Sequence, residues 1–239
     1  MFQKNFYKGK KDRCFILATG PSLSEVDLSL LENEITIGVN AIQKSGYVTD
    51  YIVVSDAETV ERDVDIIMNE QESIKHFVFG ESPSNRIKNK TTEKMKIFKN
   101  VSVVYNKEKE DIKMPPMHER PIELCRKRYY IDSNLKNFST YGGSVVQDLT
   151  IPTAIYLGFK EIYLLGCDGG FRHFYADTED LEDSSALKWI DRYGDKRPGY
   201  SFVVVKEILD KMGVKLYNCS PSDNFKELEY IKLNEVIGE

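Results

Sequence analysis

The chain has 239 residues, 41% hydrophobic and 30% charged, a balance that supports a soluble globular protein with a sizeable core. The formal charge is −5 with both signs interspersed, so no basic footprint for nucleic acid stands out and nucleic acid is not expected as a partner. The N-terminal stretch has basic residues but no apolar signal core, and no window approaches 18 uninterrupted apolar residues, which argues against a cleaved signal and a transmembrane segment.

Four cysteines, Cys14, Cys125, Cys167 and Cys219, are scattered without C-x-x-C spacing. They read as buried reduced thiols, which fits a cytoplasmic location.

The stretch around which the chain is organised comes first. Cys14 to Ala18 is an apolar run too short for a helix and fit for a strand buried on both faces. Thr19-Gly20-Pro21-Ser22 follows as a tight turn. Ser22 and Glu25 stand in capping-box spacing before a predicted helix with Val26, Leu28, Leu30 and Leu31 on its apolar face. A strand, turn and helix of this kind aim backbone N–H groups at one point, which suits a phosphate or carboxylate. The turn carries neither the Gly-Lys-Ser/Thr of a P-loop nor the three glycines of a dinucleotide fingerprint.

Further along, Ile35 to Val39 reads as a strand ending on Asn40, and Tyr51 to Ser55 as another, ending on Ser55 and Asp56. A helix is expected between Asp56 and Gln71, then a strand over His76–Phe79. Strands alternating with helices imply an α/β, Rossmann-like and mostly parallel sheet with helices on both faces. Ligands bind such sheets outside the carboxyl ends of the strands, where Thr19, Asn40, Ser55 and Asp56 would lie.

From residue 81 to 137 the pattern degrades into polar and proline-rich stretches, with one candidate strand at Val101–Tyr105. This region reads as an insertion, a lid or a plain surface excursion, in an otherwise single domain spanning residues 1–239.

Order returns with Gly142-Gly143-Ser144 before a helical stretch from Val145 to Leu157, in which Pro152 should kink the helix or mark its start. Glu161 to Leu165 is a buried strand running into Gly166-Cys167-Asp168-Gly169-Gly170, and Asp168 in this glycine-rich loop is a functional candidate. His173 follows. It is the histidine best placed for a cleft, and imidazole titrates near neutrality. A helix over Tyr200–Met212 stopped by Gly213 and a strand over Val214–Tyr217 complete the pattern. Asp63-Val-Asp65 matches D-x-D but falls within the predicted helix after Asp56, where a solvated face is the better reading. No G-x-S-x-G elbow supports a serine hydrolase.

Ile16-Leu-Ala-Thr-Gly-Pro-Ser-Leu23, Gly38-Val-Asn40, Gly143-Ser-Val145, Leu157 to Asp168 and Val214 to Pro221 together resemble the bacterial sialyltransferases of glycosyltransferase family 42. The Gly-Pro-Ser-Leu turn, the Gly-x-Asp strand end and His173-Phe-Tyr175 are also similar to the 6-hydroxymethylpterin diphosphokinase-like proteins. The resemblance implies a Rossmann-like transferase taking a CMP-activated sugar and a glycan acceptor in bacterial surface polysaccharide synthesis, with no required cofactor or metal. It places Gly20, Pro21, Ser22 and Asn40 by the nucleotide, Gly143 and Ser144 at a second turn, and Tyr175 at the phosphate. It is compatible with a homo-oligomer and with peripheral contact with a membrane. Thr19 and Ser55 stand where the sialyltransferases carry Asn. The stretch Tyr193–Tyr200 lacks the His that serves there as general base, which leaves His173 or Asp168 for that role. Two alternatives stay open: ATP-dependent diphosphate transfer, with Mg²⁺ on carboxylates such as Asp56 and Asp168, and a non-catalytic nucleotide-binding protein.

Overall fold

The structure is a computed structural model. It describes residues 2–55, 66, 72–81, 100–106, 121–141, 143–170, 172–175, 200–221 and 225–238. The helix expected between Asp56 and Gln71, with its Asp63-Val-Asp65, lies outside the described residues apart from Ile66, and so does Asp56.

Nine described strands form one sheet: β1 (Arg13–Leu17), β2 (Thr36–Val39), β3 (Tyr51–Val54), β4 (His76–Glu81), β5 (Val101–Asn106), β6 (Asn137–Phe138), β7 (Glu161–Leu165), β8 (Lys215–Asn218) and β9 (Glu229–Tyr230). Their order is β6-β5-β4-β3-β2-β1-β7-β8-β9, and every pairing is parallel. The α/β Rossmann-like reading holds. Parallel strands need crossovers that cover both faces, so central strands must be apolar throughout. β1 shows this directly. Cys14 and Ile16 enter one core while Phe15 and Leu17 enter the other, all fully buried.

On the first face lie α1 (Ile122–Arg128), α2 (Ile151–Leu157) and α3 (Tyr200–Met212), through Cys125, Ala154, Phe202, Val205 and Leu209. On the second lie Leu23, Leu31 and Ile42 from short turns, with Leu233 and Val236 of α4 (Leu233–Ile237). The stretch read as an insertion supplies β5, α1 and β6 to this scaffold, with β5 paired to β4 and β6 to β5.

The helix expected after Ser22 is not formed. Two short 3-10 turns, Pro21–Glu25 and Leu28–Leu31, stand in its place. The capping box is also absent: the N-cap is Gly20, without a side-chain bond, and Ser22 spends its hydroxyl elsewhere. Asp27 explains the break, because its carboxylate accepts the Ser29 N–H at 3.1 Å and the Ser29 hydroxyl at 2.6 Å, a local turn that competes with helix. Leu30, assigned to the apolar face, is exposed.

The Val145–Leu157 stretch is two-part. Val146–Thr150 winds as a π turn, and α2 starts at Ile151 with Pro152 in its first turn, ending at Gly158 in the left-handed region at φ 103°. Proline has no N–H to give to the Asp148 carbonyl, and its ring pushes that carbonyl away, which favours the wider turn. The Thr150 hydroxyl donates to the Val145 carbonyl at 3.0 Å. The four cysteines are free and buried, and burial pushes the Cys219 thiol up to about 12.

Candidate functional site

From β1 the chain winds outward to β6, then returns to β7 on the other side of β1. The connections diverge between β1 and β7, which opens a crevice at the carboxyl ends of those strands. Two loops meet there. The Ala18 N–H donates to the Leu165 carbonyl at 2.8 Å, and the Gly20 N–H to the Gly166 carbonyl at 2.7 Å.

Glycine permits this approach. Gly166 has φ +63°, and a Cβ there would lie 2.5 Å from the Ala18 carbonyl oxygen. A Cβ on Gly20 would lie 2.5 Å from the Gly166 carbonyl oxygen and run into the Asp168 carboxylate.

Asp168 faces the turn after β1. Its Oδ2 accepts the Ser22 backbone N–H at 2.8 Å, and its Oδ1 accepts the Ser22 hydroxyl. Both Ser22 donors of the turn are therefore engaged by the protein's own carboxylate.

His173 is held at the same turn. Its Nδ1 is 2.8 Å from the Thr19 hydroxyl, and the next residue, Phe174, donates its N–H to the Thr19 carbonyl at 2.9 Å. When Nδ1 carries the proton and donates to Thr19, Nε2 carries the lone pair. The ring stacks on Tyr175 at a 5.1 Å centroid distance and 4° between planes.

On the β2 side, Asn40 adopts a left-handed φ of 51° and donates its N–H to the Val53 carbonyl at 2.9 Å. Its Oδ1 is buried without a hydrogen-bond partner. A buried acceptor of this kind is costly when no donor meets it, and Asn40 is among the residues that line the cleft. The Gly143–Ser144 loop forms a further wall. Gly143, at φ +86°, donates its N–H to the Asp148 carboxylate at 3.0 Å, while the Ser144 hydroxyl donates to Gln147 Oε1 at 2.6 Å. Asp148 is itself buried, and Tyr129 beside it donates its hydroxyl to the Gln147 carbonyl at 2.5 Å. Burial, with the Asp148 charge adding, pushes the Tyr129 phenol well above its usual range.

These groups line a cleft of about 190 Å³. The structure brings eight of the sequence-derived candidates to it: Thr19, Gly20, Asn40, Ser55, Gly143, Ser144, Asp168 and His173. Pro21 and Ser22 are not among the lining residues; Ser22 acts on the cleft through Asp168. Tyr175 reaches it only through the His173 ring.

Sequence reasoning missed several lining residues. Phe202 and Phe225, packed at 4.5 Å and 64°, come from distant parts of the chain and supply an apolar wall. Phe202 carried only the signal of a residue in a predicted helix, and Phe225 carried none. Gln147 and Arg172 were also missed, although Arg172 adjoins His173 and Gln147 follows the Gly143–Ser144 turn. Among the described residues no three His, Cys, Asp or Glu side chains assemble a metal-binding group. Nor is any described helix long and apolar enough to cross a membrane.

Comparison with known proteins agrees with this architecture. No curated protein sequence matches the chain. Among solved structures, the MAf glycosyltransferase from Magnetospirillum magneticum AMB-1 superposes with a TM-score of 0.52 at 14% identity, over 97% of this chain and 34% of that one. The likeness is one of fold, and the present chain spans about a third of that chain's length. Residues 1–173 match the family described as 6-hydroxymethylpterin diphosphokinase MptE-like. That match takes in the turn after β1, Asn40, the Gly143–Ser144 loop, Asp168 and His173, and the chain belongs to the 6-hydroxymethylpterin diphosphokinase MptE-like family.

Proposed function

We propose that this protein is a glycosyltransferase, moving a sugar from a nucleotide-activated donor, with CMP favoured, to a glycan acceptor in bacterial surface polysaccharide synthesis. The observation that carries the reading is the Thr19–His173 hydrogen bond at the β1/β7 crevice, which orients an imidazole at the cleft. The fold shared with a glycosyltransferase is its second support.

In this reading His173 Nε2 takes the proton of an acceptor hydroxyl, and the acceptor oxygen attacks the anomeric carbon of the donor sugar. The bond from that carbon to the phosphate oxygen breaks, and the nucleotide leaves with the bonding electron pair. Thr19 orients the imidazole through its hydroxyl, and the reaction uses the tautomer protonated at Nδ1. Asp168, engaged by Ser22, serves as the buttress of the turn rather than as the base. Ser144, which lines the cleft, faces the leaving phosphate, and Tyr175 braces the His173 ring from behind. The transfer requires no metal ion, and the enzyme acts in the cytoplasm.

The family description favours one second reading, diphosphate transfer from ATP. That reaction needs Mg²⁺ held by carboxylates, and the described residues gather only Asp168 at the crevice, already bonded to Ser22. It would depend on Asp56.

Thermal stability with CMP, CDP, UDP, GDP and ATP, each with Mg²⁺ and with EDTA, separates the two. A ligand at ~100 times its dissociation constant adds about 2.7 kcal/mol, a readily measured shift. CMP stabilisation that survives EDTA is expected; ATP stabilisation lost in EDTA favours diphosphate transfer, and no shift with any nucleotide removes both.

A further inference from the structure

The proposed transfer makes no use of the buried acid behind the Gly143–Ser144 wall. Asp148 lies in the π turn Val146–Thr150 and is only 6% exposed. It grips the Gly143–Ser144 loop at two points. Its Oδ2 accepts the Gly143 N–H at 3.0 Å, and its own N–H donates to the Ser144 carbonyl at 2.8 Å. Gly143, in the left-handed region at φ +86°, lines the cleft together with Ser144, Val145 and Val146, whereas Asp148 is not among the lining residues. Asp148 thus acts on the cleft from behind, through main-chain atoms of the loop.

The neighbouring residue is held in the same way. The Ser144 hydroxyl donates to Gln147 Oε1 at 2.6 Å, and Tyr129 at the end of α1 donates to the Gln147 carbonyl at 2.5 Å, so the loop, the π turn and the α1 layer are joined in one network. A carboxylate taken out of water carries a desolvation penalty that its hydrogen bonds must offset, and an apolar side chain of that size would carry none. Its negative charge also works against a phosphate on the far side of the wall. Neither stability nor attraction for an anionic ligand accounts for an acid at this position. Geometry does: the carboxylate gives the Gly143 N–H an acceptor and ties the left-handed turn to the helical stretch behind it.

We infer that Asp148 is a positioning residue for the donor: its carboxylate holds the Gly143–Ser144 loop in the form that walls the cleft, and donor binding depends on that hold. This rests on the reading of the cleft as a nucleotide-donor site. It adds to that reading a residue that touches no ligand and that no motif of the sequence singles out. No bond is made or broken by Asp148.

The test compares wild type, Asp148→Ala and Asp148→Asn. Ala removes the acceptor and is the best helix former, whereas Asn keeps a side-chain oxygen for the Gly143 N–H and loses the charge. Exchange of the Gly143 amide, read by NMR on deuterated protein, reports the hold itself. Titration calorimetry with CMP, at a temperature where ligand-free melting curves show all three proteins folded, reports its consequence. Asp148→Ala should speed Gly143 exchange and weaken CMP binding, each about tenfold or more, and Asp148→Asn should restore most of both. A lower melting temperature with unchanged CMP affinity in Asp148→Ala marks a scaffold residue and overturns the inference. So does a loss in Asp148→Asn as large as in Asp148→Ala, which would assign the effect to charge. If wild type binds no nucleotide, the proposed function falls, and Gly143 exchange decides Asp148 by itself. Faster exchange in Asp148→Ala that Asp148→Asn restores sustains the hold on the wall; equal exchange in all three proteins removes it.

Discussion

The Asp168 carboxylate accepts both the backbone N–H and the hydroxyl of Ser22, 146 residues away in the chain. The bond ties the loop after β7 to the turn after β1 and gives that turn an internal anion. Its consequence is a division of labour that kinetics can read. If Asp168 is a buttress, Asp168→Asn and Ser22→Ala should lower stability by a similar amount, on the order of 1–3 kcal/mol for a charge-assisted bond, and should lower turnover in parallel. If Asp168 is the base, Asp168→Asn should abolish turnover while Ser22→Ala retains most of it. Denaturant unfolding and turnover of both variants decide between these.

His173→Ala is expected to reduce turnover ~10²–10⁴-fold, the usual worth of a positioned general base, with nucleotide affinity little changed. Thr19→Val should produce a smaller loss of the same kind, because it removes the hydroxyl 2.8 Å from Nδ1 and leaves the ring in place. Unchanged turnover in His173→Ala would take the residue out of the reaction.

The sheet was readable because its strands are short apolar runs, and β1, β2, β3, β4 and β7 fall within a residue or two of expectation. The turn chemistry after Gly20 was not. Ser22 and Glu25 satisfy the spacing of a capping box, but spacing does not reveal that Ser22 has a stronger partner in Asp168, nor that Asp27 folds back on Ser29. The region after residue 81 looked inserted because β5 and β6 lie toward the sheet edge, where half-exposed strands need not be uniformly apolar; Tyr105 is exposed. Within the cleft, motif residues such as Gly20, Asn40 and His173 were visible. Phe202 and Phe225 were not, because an apolar residue lining a ligand wall has the same sequence signature as one filling the core.

Gly166 and Gly20 should be among the least replaceable positions of the fold. Gly166→Ala combines a left-handed φ of 63° with a Cβ 2.5 Å from the Ala18 carbonyl oxygen, and Gly20→Ala drives a methyl against backbone and Asp168. Overpacking of this kind costs roughly 1–3 kcal/mol, to which Gly166 adds about 1–2 kcal/mol of backbone strain. Gly213→Ala is the control: its φ is 64°, but nothing lies within 4 Å of the added Cβ, so only the strain applies. Urea midpoints of the three variants should rank Gly213→Ala well above Gly166→Ala, and equal losses would mean that the two loops separate easily.

His76 gives the stability a pH dependence with a defined sign. The residue begins β4, stacks on Phe2 at 4.1 Å and 4°, and brings Nε2 to 2.9 Å from the Ser102 hydroxyl. Burial lowers its pKa from 6.5 to about 4. Between those values the unfolded chain holds a proton on this ring that the folded chain does not. Stability should therefore fall as pH drops from about 6.5 toward 4, and this group should contribute no slope above that window. Solvent around a half-buried ring screens part of the penalty, which limits the effect to at most about 2 kcal/mol. His76→Gln keeps an acceptor for Ser102 and removes the titration. Urea unfolding at pH 7.5 and pH 5 should show a smaller loss on acidification in His76→Gln than in wild type. An identical loss in both proteins would assign the acid sensitivity to other groups.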